Sequence, residues 1–213
     1  MSLILYYHPL SSFCWKVLIP LYENGTPFTP RFVDPNDRAE LTALWPMTKL
    51  PVLRDEAKRR TIPESTTIIE YLDLHYPGPV KLIPSDPDEA VRVRLRDRFF
   101  DNYIMTPMFM TVGNRIRPAD KKDAYGVEQY RTTLRTALDL LERKIEGLTW
   151  AMGDAYTMAD VSAAPSLFYA DKIIPFADSH PHTMAYLKRL MARPAFARVL
   201  KEAEPVMHMF PTE

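Results

Sequence analysis

Residues 77–87, PGPVKLIPSDP, hold four prolines, and no helix or strand can run through them. Each proline lacks a backbone donor and fixes its own φ, so the stretch reads as a stiff connector that divides the chain of 213 residues in two. The two sides carry different hydrophobic periods. On the N-terminal side, Leu3 to Tyr7 form a short apolar run closed by His8-Pro9, TPFTPRFVD alternates, and KLPVLRD and RRTIPES flank a charged turn. These read as four strands. Between them, Val17, Leu18 and Leu21 follow a serine cap at helical spacing as far as Asn24-Gly25. A Pro-flanked polar stretch holds one helical turn, and ESTTIIEYLDLHYP puts Ile68, Ile69 and Leu72 on one face. Pro20 is expected to kink the first of these helices. The pattern predicts a small three-layer α/β domain over residues 1–77, a linker over 78–87 and an all-helical domain over 88–213.

Beyond the connector every segment is helical in pattern. DEAVRVRLRDRFFDNYIMTPMFM and YRTTLRTALDLLERKIEGL read as two long amphipathic helices, the second with a stripe of Tyr130, Leu134, Ala137, Leu138, Leu141 and Ile145 that suits a bundle core. In GDAYTMADVSAAP, Thr157 and Asp160 are spaced as a capping box, the small residues behind them imply close helix packing, and Pro165 predicts a bend. HTMAYLKRLMARPAFARVL supplies a further helix, broken at Pro194, and a short final turn.

Lys plus Arg and Asp plus Glu balance at 27 each, so the chain has no positive field for a nucleic-acid backbone or an anionic membrane surface. A hydrophobic fraction of 46% beside 25% charged residues argues against disorder. The single cysteine permits neither an internal disulfide nor a thiol-based zinc site. With no basic leader and no apolar run long enough to span a bilayer, a cytoplasmic protein is expected. His8, His75, His180 and His182 show no metal-ligand spacing, and no metal is expected. Arg92, Arg94, Arg96 and Arg98 alternate, but a helix spreads alternating residues round its circumference, and Asp88, Glu89, Asp97 and Asp101 interleave. A solvated face is the simpler reading.

Chemistry concentrates in three places. In YYHPLSSFCWKV a strand ends at Pro9 and delivers Ser11, or Ser12, to a helix N-terminus, where unpaired amides favour an anion. No Gly-x-Ser-x-Gly elbow surrounds either serine, so donating a hydrogen bond to another molecule's anion suits them better than nucleophilic attack. Cys14 stands where a Cys-x-x-Cys helix keeps its second, more buried thiol, while Ser11 takes the first position; an inert packed thiol and a reactive one are both open. In KLPVL, Pro51 opens a strand at a position where a cis bond would expose the Leu50 backbone to an extended ligand. PES starts the next helix. Its amides with Ser65 could take a carboxylate while Glu64 takes an ammonium, or the two residues could be a plain cap.

Together these stretches resemble the cytosolic glutathione transferases over nearly the whole chain. YYHPLSSFCWKV is similar to the start of their serine-type classes (delta, theta and zeta), WPMTKLPVL to their proline-bearing segment, PESTTIIEYLDLHYP to the helix that follows, and GDAYTMADVSAAP to the folding motif of their helical domain. The resemblance implies a thioredoxin-like domain followed by a helical bundle, in a homodimer, with glutathione as co-substrate on the first domain. It further implies that Ser11, or Ser12, stabilises the glutathione thiolate. Leu50 would pair with the cysteinyl unit beside a cis Pro51, Glu64 and Ser65 would hold the γ-glutamyl end, and Lys49 would reach the glycine carboxylate. A mainly apolar electrophile would lie between the domains, against Leu10, Phe13, Tyr103, Met108, Phe109 and Phe168. The implied activity is glutathione transfer in detoxification. Its alternatives are a glutathione-dependent isomerase of the maleylacetoacetate or maleylpyruvate type, a glutathione-dependent peroxidase or disulfide reductase, and a non-catalytic binding module. Phe13, Met47, Thr48 and Thr66 depart from residues common in relatives, Thr66 standing where an arginine often assists the glutamyl end, and no class is assigned.

Overall fold

The computed structural model describes residues 2–34 and 38–212. Two compact units result, one of Met1–Ile83 with Pro194–His208 and the other of Pro84–Arg193 with Met209–Glu213.

The first unit is built on four strands, β1 (Leu3–Tyr7), β2 (Thr29–Phe32), β3 (Val52–Asp55) and β4 (Arg60–Pro63), in the order β2-β1-β3-β4. β1 runs parallel to β2 and antiparallel to β3, and β3 runs antiparallel to β4. Helix α1 (Ser12–Glu23) makes the crossover between the parallel pair, α2 (Ala39–Leu44) follows β2, and α3 (Ser65–His75) follows β4. Alternation along β1 feeds two cores. Tyr6 joins Val33, Leu41 and Val52, with Ile4 and Trp45 at the margin. Leu3 and Leu5 are buried on the other face, and α1 and α3 pack on each other. α1 runs on through Pro20. That proline has no amide to give the Lys16 carbonyl one turn back, yet Leu18, Ile19 and Leu21 stay buried, so tertiary burial carries the helix across the missing bond.

The second unit holds α4 (Pro87–Phe99), a π-helical stretch (Phe100–Met105), α5 (Thr106–Arg115), α6 (Ala124–Ile145), α7 (Met158–Asp171) and α8 (Pro181–Ala192). α7 is its buried axis and continues through Pro165; Ala159, Ala163, Ala164 and Ala170 are closed off from solvent, and their small side chains let α4 and α8 approach. The α6 stripe is buried from Leu134 to Ile145, as its spacing predicts. Thr157 and Asp160 form the expected capping box, and Asp160 also accepts from the Ala151 amide at 2.7 Å and the Tyr186 hydroxyl at 2.6 Å. Where the sequence pattern reads one long helix into MTPMFM, the chain widens into a π turn. Pro107 cannot supply the next amide, and the Thr106 amide and hydroxyl both turn back to the Asp101 carbonyl.

Helix α9 (Pro194–Ala203) groups with the first unit, although the sequence pattern assigns it to the helical domain. Phe196 sets its buried ring edge-on to Trp15 at 6.1 Å, and Glu202 accepts from the Tyr22 hydroxyl at 2.7 Å. No local pattern announces a contact between residues so far apart along the chain. The connector is fastened to the first unit as well. Asn24 donates to the Val80 carbonyl at 3.1 Å and accepts from the Val80 amide at 2.8 Å. Gly78 passes so near that a Cβ there would lie 2.4 Å from the Asn24 Cβ.

Candidate functional site

Strand register decides which residues can meet. Tyr6 pairs with Val52, and Val52 with Pro63, so the end of β1, the start of β3 and the end of β4 share one end of the sheet. There the chain leaves toward Ser11 and α1, returns through Leu50 and Pro51, and leaves again through Glu64 and Ser65 into α3. All three stretches marked by the sequence therefore reach one end of the first unit.

Ser11 is the N-cap of α1, with extended backbone; its Oγ accepts from the Cys14 amide at 3.3 Å, and its own amide donates to the His8 carbonyl at 3.0 Å. His8 shapes the turn before it, since its Nδ1 accepts from the Leu10 amide at 3.2 Å. Burial, and then the Arg38 cation, hold this imidazole below its usual pKa, which favours the neutral, accepting form. Ser12, the neighbouring candidate, is buried as the first residue of the helix. Cys14 is fully buried, and burial pushes its thiol up to about 11 against hydrogen bonds from the Ser11 side chain and the His8 backbone. A thiol held there is protonated at neutral pH, which fits the inert, packed alternative.

The Leu50–Pro51 bond is cis and Pro51 is buried. Among the described residues no hydrogen bond uses the Leu50 backbone. Lys49 is exposed. Helix α3 starts from Glu64 at φ 67°, a region that non-glycine residues rarely occupy, and no side chain caps it. Ser65 is buried beneath this start. The first amides of a helix have no acceptor within it, so an uncapped start can receive an anion. Two further groups escape the sequence patterns. Lys16 of α1, completely buried, donates to Thr66 Oγ1 at 2.9 Å. The Trp45 indole Nε1 is buried with no partner among the described residues. Neither position carries a sequence signal, because a helical lysine usually faces solvent and an isolated tryptophan usually fills a core.

In the second unit, Tyr103 and Phe109 are about half exposed, at 53% and 52%, and Phe168 lies half-buried with the Lys172 ammonium 4.9 Å from its ring centroid. Met108 is only 3% exposed, on the packed face of α5. Leu10 and Phe13 of the first unit are half-buried. Within the arginine stripe, Arg92 meets Glu89 at 2.7 Å and Arg98 meets Asp97 and Asp101 at 2.6 Å each. His180 Nε2 lies 3.0 Å from Asp139, and Glu142 takes the His182 and Thr183 amides at 2.9 and 2.8 Å, so this cluster docks α8 on α6. Among the described residues no group of His, Cys, Asp and Glu could hold a metal ion, and no helix is long and apolar enough to cross a membrane.

Comparison with known proteins covers both units. The description of the glutathione S-transferase N-terminal domain matches residues 5–80, and that of the C-terminal domain matches residues 100–194. The glutathione S-transferase-like protein LUC7 of a Fusarium species is 31% identical over 163 residues, which cover 73% of this chain and 72% of that protein. A probable maleylacetoacetate isomerase of Vibrio cholerae is 28% identical over 219 residues, covering 96% of this chain and 98% of its own. Among solved structures, a glutathione S-transferase of Methylobacterium radiotolerans in complex with glutathione sulfonate aligns with a TM-score of 0.83 at 28% identity, over 93% of this chain and 94% of that one. A mixed four-stranded domain with three site loops at one end, a helical domain after it, and family matches along both lead to one conclusion: the chain belongs to the glutathione S-transferase family.

Proposed function

We propose that the protein activates glutathione by holding its thiolate at the N-terminus of α1 with the Ser11 hydroxyl, for attack on a small, mainly apolar electrophile. The observation that carries this reading is the state of Ser11. Its Oγ accepts from the Cys14 amide at the N-cap of α1, beside the first amides of that helix, so a hydroxyl and a helix N-terminus stand together where an anion is favoured. The buried Cys14 thiol that the hydroxyl also faces is held protonated and is no anion to compete for its proton. A free thiol with pKa about 8.5 is only about 3% ionised at pH 7. Lowering that value by about two units needs about 2.7 kcal/mol of preference for the anion. One hydrogen bond to a charge, together with a helix N-terminus, supplies about 2–4 kcal/mol.

The remaining groups suit the rest of the tripeptide. Leu50 has a free backbone for the cysteinyl unit, the start of α3 with Ser65 suits the γ-glutamyl carboxylate, and Glu64 suits its ammonium. Lys49, which is exposed, is a donor for the glycine carboxylate. Of the residues expected to meet an apolar acceptor, Leu10 and Phe13 are half-buried in the first unit, while in the second Tyr103 and Phe109 are about half exposed and Phe168 is half-buried. Ser11→Ala is expected to keep glutathione affinity within about threefold while lowering conjugation of chlorodinitrobenzene at pH 7 by about 10²-fold. Undiminished conjugation would remove Ser11 from the mechanism.

A second reading is favoured by the relative named a probable maleylacetoacetate isomerase, which matches nearly the whole chain. The same thiolate would add to a cis double bond, allow rotation, and leave, so glutathione would be regenerated. Cis-to-trans conversion of maleylacetone without loss of glutathione would move the assignment there. We also read the protein as a homodimer. α4 exposes Val91 and Leu95, one turn apart, at 62% and 67%, an apolar strip that a second copy would cover. A single-chain mass by light scattering at micromolar concentration contradicts this.

A further inference from the structure

Lys16 has no exposed surface, and its ammonium donates to Thr66 Oγ1 at 2.9 Å. Burying an ammonium is costly unless it is hydrogen-bonded, and an apolar side chain of similar length would pack α1 on α3 without that penalty. The ammonium therefore does something that an apolar residue cannot, and the group it touches indicates what. Thr66 is the second residue of α3, in the turn whose amides have no acceptor within the helix. Glu64 enters that turn at φ 67° and no side chain caps it. Ser65, at 5% exposed, makes no side-chain hydrogen bond among the described residues. The turn is thus held from outside the helix, and Lys16 supplies a hold.

We infer that Lys16 is a positioning residue for the γ-glutamyl carboxylate of glutathione. Through Thr66 it fixes the first turn of α3 so that the Ser65 hydroxyl and the Ser65 and Thr66 amides converge on that carboxylate. The inference rests on the reading of this helix start as the glutamyl site. It also answers the departure at position 66, because the fastening cation comes from α1 beneath the turn.

The test measures dissociation constants by isothermal titration for glutathione and for 4-aminobutyryl-cysteinylglycine, which is glutathione without its γ-glutamyl carboxylate. The native protein, Lys16→Met, Thr66→Val and the double variant are compared. The native protein is expected to prefer glutathione. Each single substitution should weaken glutathione by about tenfold, the size of one hydrogen-bonded contact, and leave the analogue within about twofold. The double variant should be no weaker than the weaker single one, since both changes remove the same bond. Equal losses for both ligands would mean that Lys16 only supports the fold, and they overturn the inference; so do unchanged affinities or losses that multiply in the double variant. Thr66→Val removes the bond from its other side, so the test stands even if Lys16→Met fails to fold. A native protein that binds neither ligand, or binds both alike, overturns the glutamyl site and this inference together. Native discrimination that survives both substitutions overturns the inference alone.

Discussion

Glu64 and Asp55 carry opposite kinds of residue-scale tension. A glutamate held at φ 67° carries about 1–3 kcal/mol of backbone strain. Glu64→Gly is expected to stabilise the fold by roughly 1 kcal/mol while weakening glutathione about tenfold, because it relaxes the backbone and removes the proposed partner of the glutamyl ammonium. Urea unfolding and ligand titration read the two effects separately, and a destabilised glycine variant would show that the position is unstrained. Asp55 is strain-free but buried. Burial pushes its carboxyl up, yet hydrogen bonds from the Tyr76 and Tyr71 hydroxyls, at 2.6 and 2.7 Å, and from the Lys58 and Ala57 amides outweigh it and leave the pKa below the ordinary 3.8. With a depressed folded value the native state binds fewer protons, so this stability is complete above the unfolded pKa and is lost as pH falls through 3.8 toward the folded value. Asp55→Asn is expected to cost about 2 kcal/mol at pH 7 and to flatten the acid limb of the stability curve. Parallel acid limbs for the two proteins would contradict that assignment. In the sequence, Asp55 looks like part of a charged turn, because its tyrosine partners lie on α3 and at the C-cap of that helix.

Elements were legible where the signal is local and opaque where tertiary contacts decide. The α6 stripe and the Thr157–Asp160 box could be read because spacing alone defines them. Pro20 and Pro165 carry a local signal for a kink or bend, and both helices run on through them between buried neighbours, whereas Pro107 widens the turn that precedes it. The box also reaches further than its motif. Asp160 is buried, and burial raises its carboxyl pKa despite hydrogen bonds from Tyr186, Ala151 and Thr157. Asp160→Ala strands the Ala151 amide, the Thr157 amide and the Tyr186 hydroxyl together, so a loss of about 3 kcal/mol or more is expected in chemical unfolding. A loss under about 1 kcal/mol would show that the box only caps α7.

At the scale of the whole molecule, the proline connector announces two bodies, and the periods on either side announce their classes. Which body takes α9 cannot be read there, because Phe196 finds Trp15 only in the folded state. The site follows the same division. Ser11, Pro51 and Ser65 stand out because each joins a turn residue to the start of an element, whereas their convergence depends on the β1-β3-β4 register, and Lys16 is visible only once α1 lies on α3. The claim that joins these levels is a thiolate held by Ser11. A pH titration of the ultraviolet thiolate band of bound glutathione tests it most directly, with native protein, Ser11→Ala, and Cys14→Ala as control. The bound thiol should titrate about two units below its free value in the native and Cys14→Ala proteins, and return to about 8.5 in Ser11→Ala. A native complex that titrates as in water, or a Ser11→Ala complex that keeps the lowered value, contradicts the account.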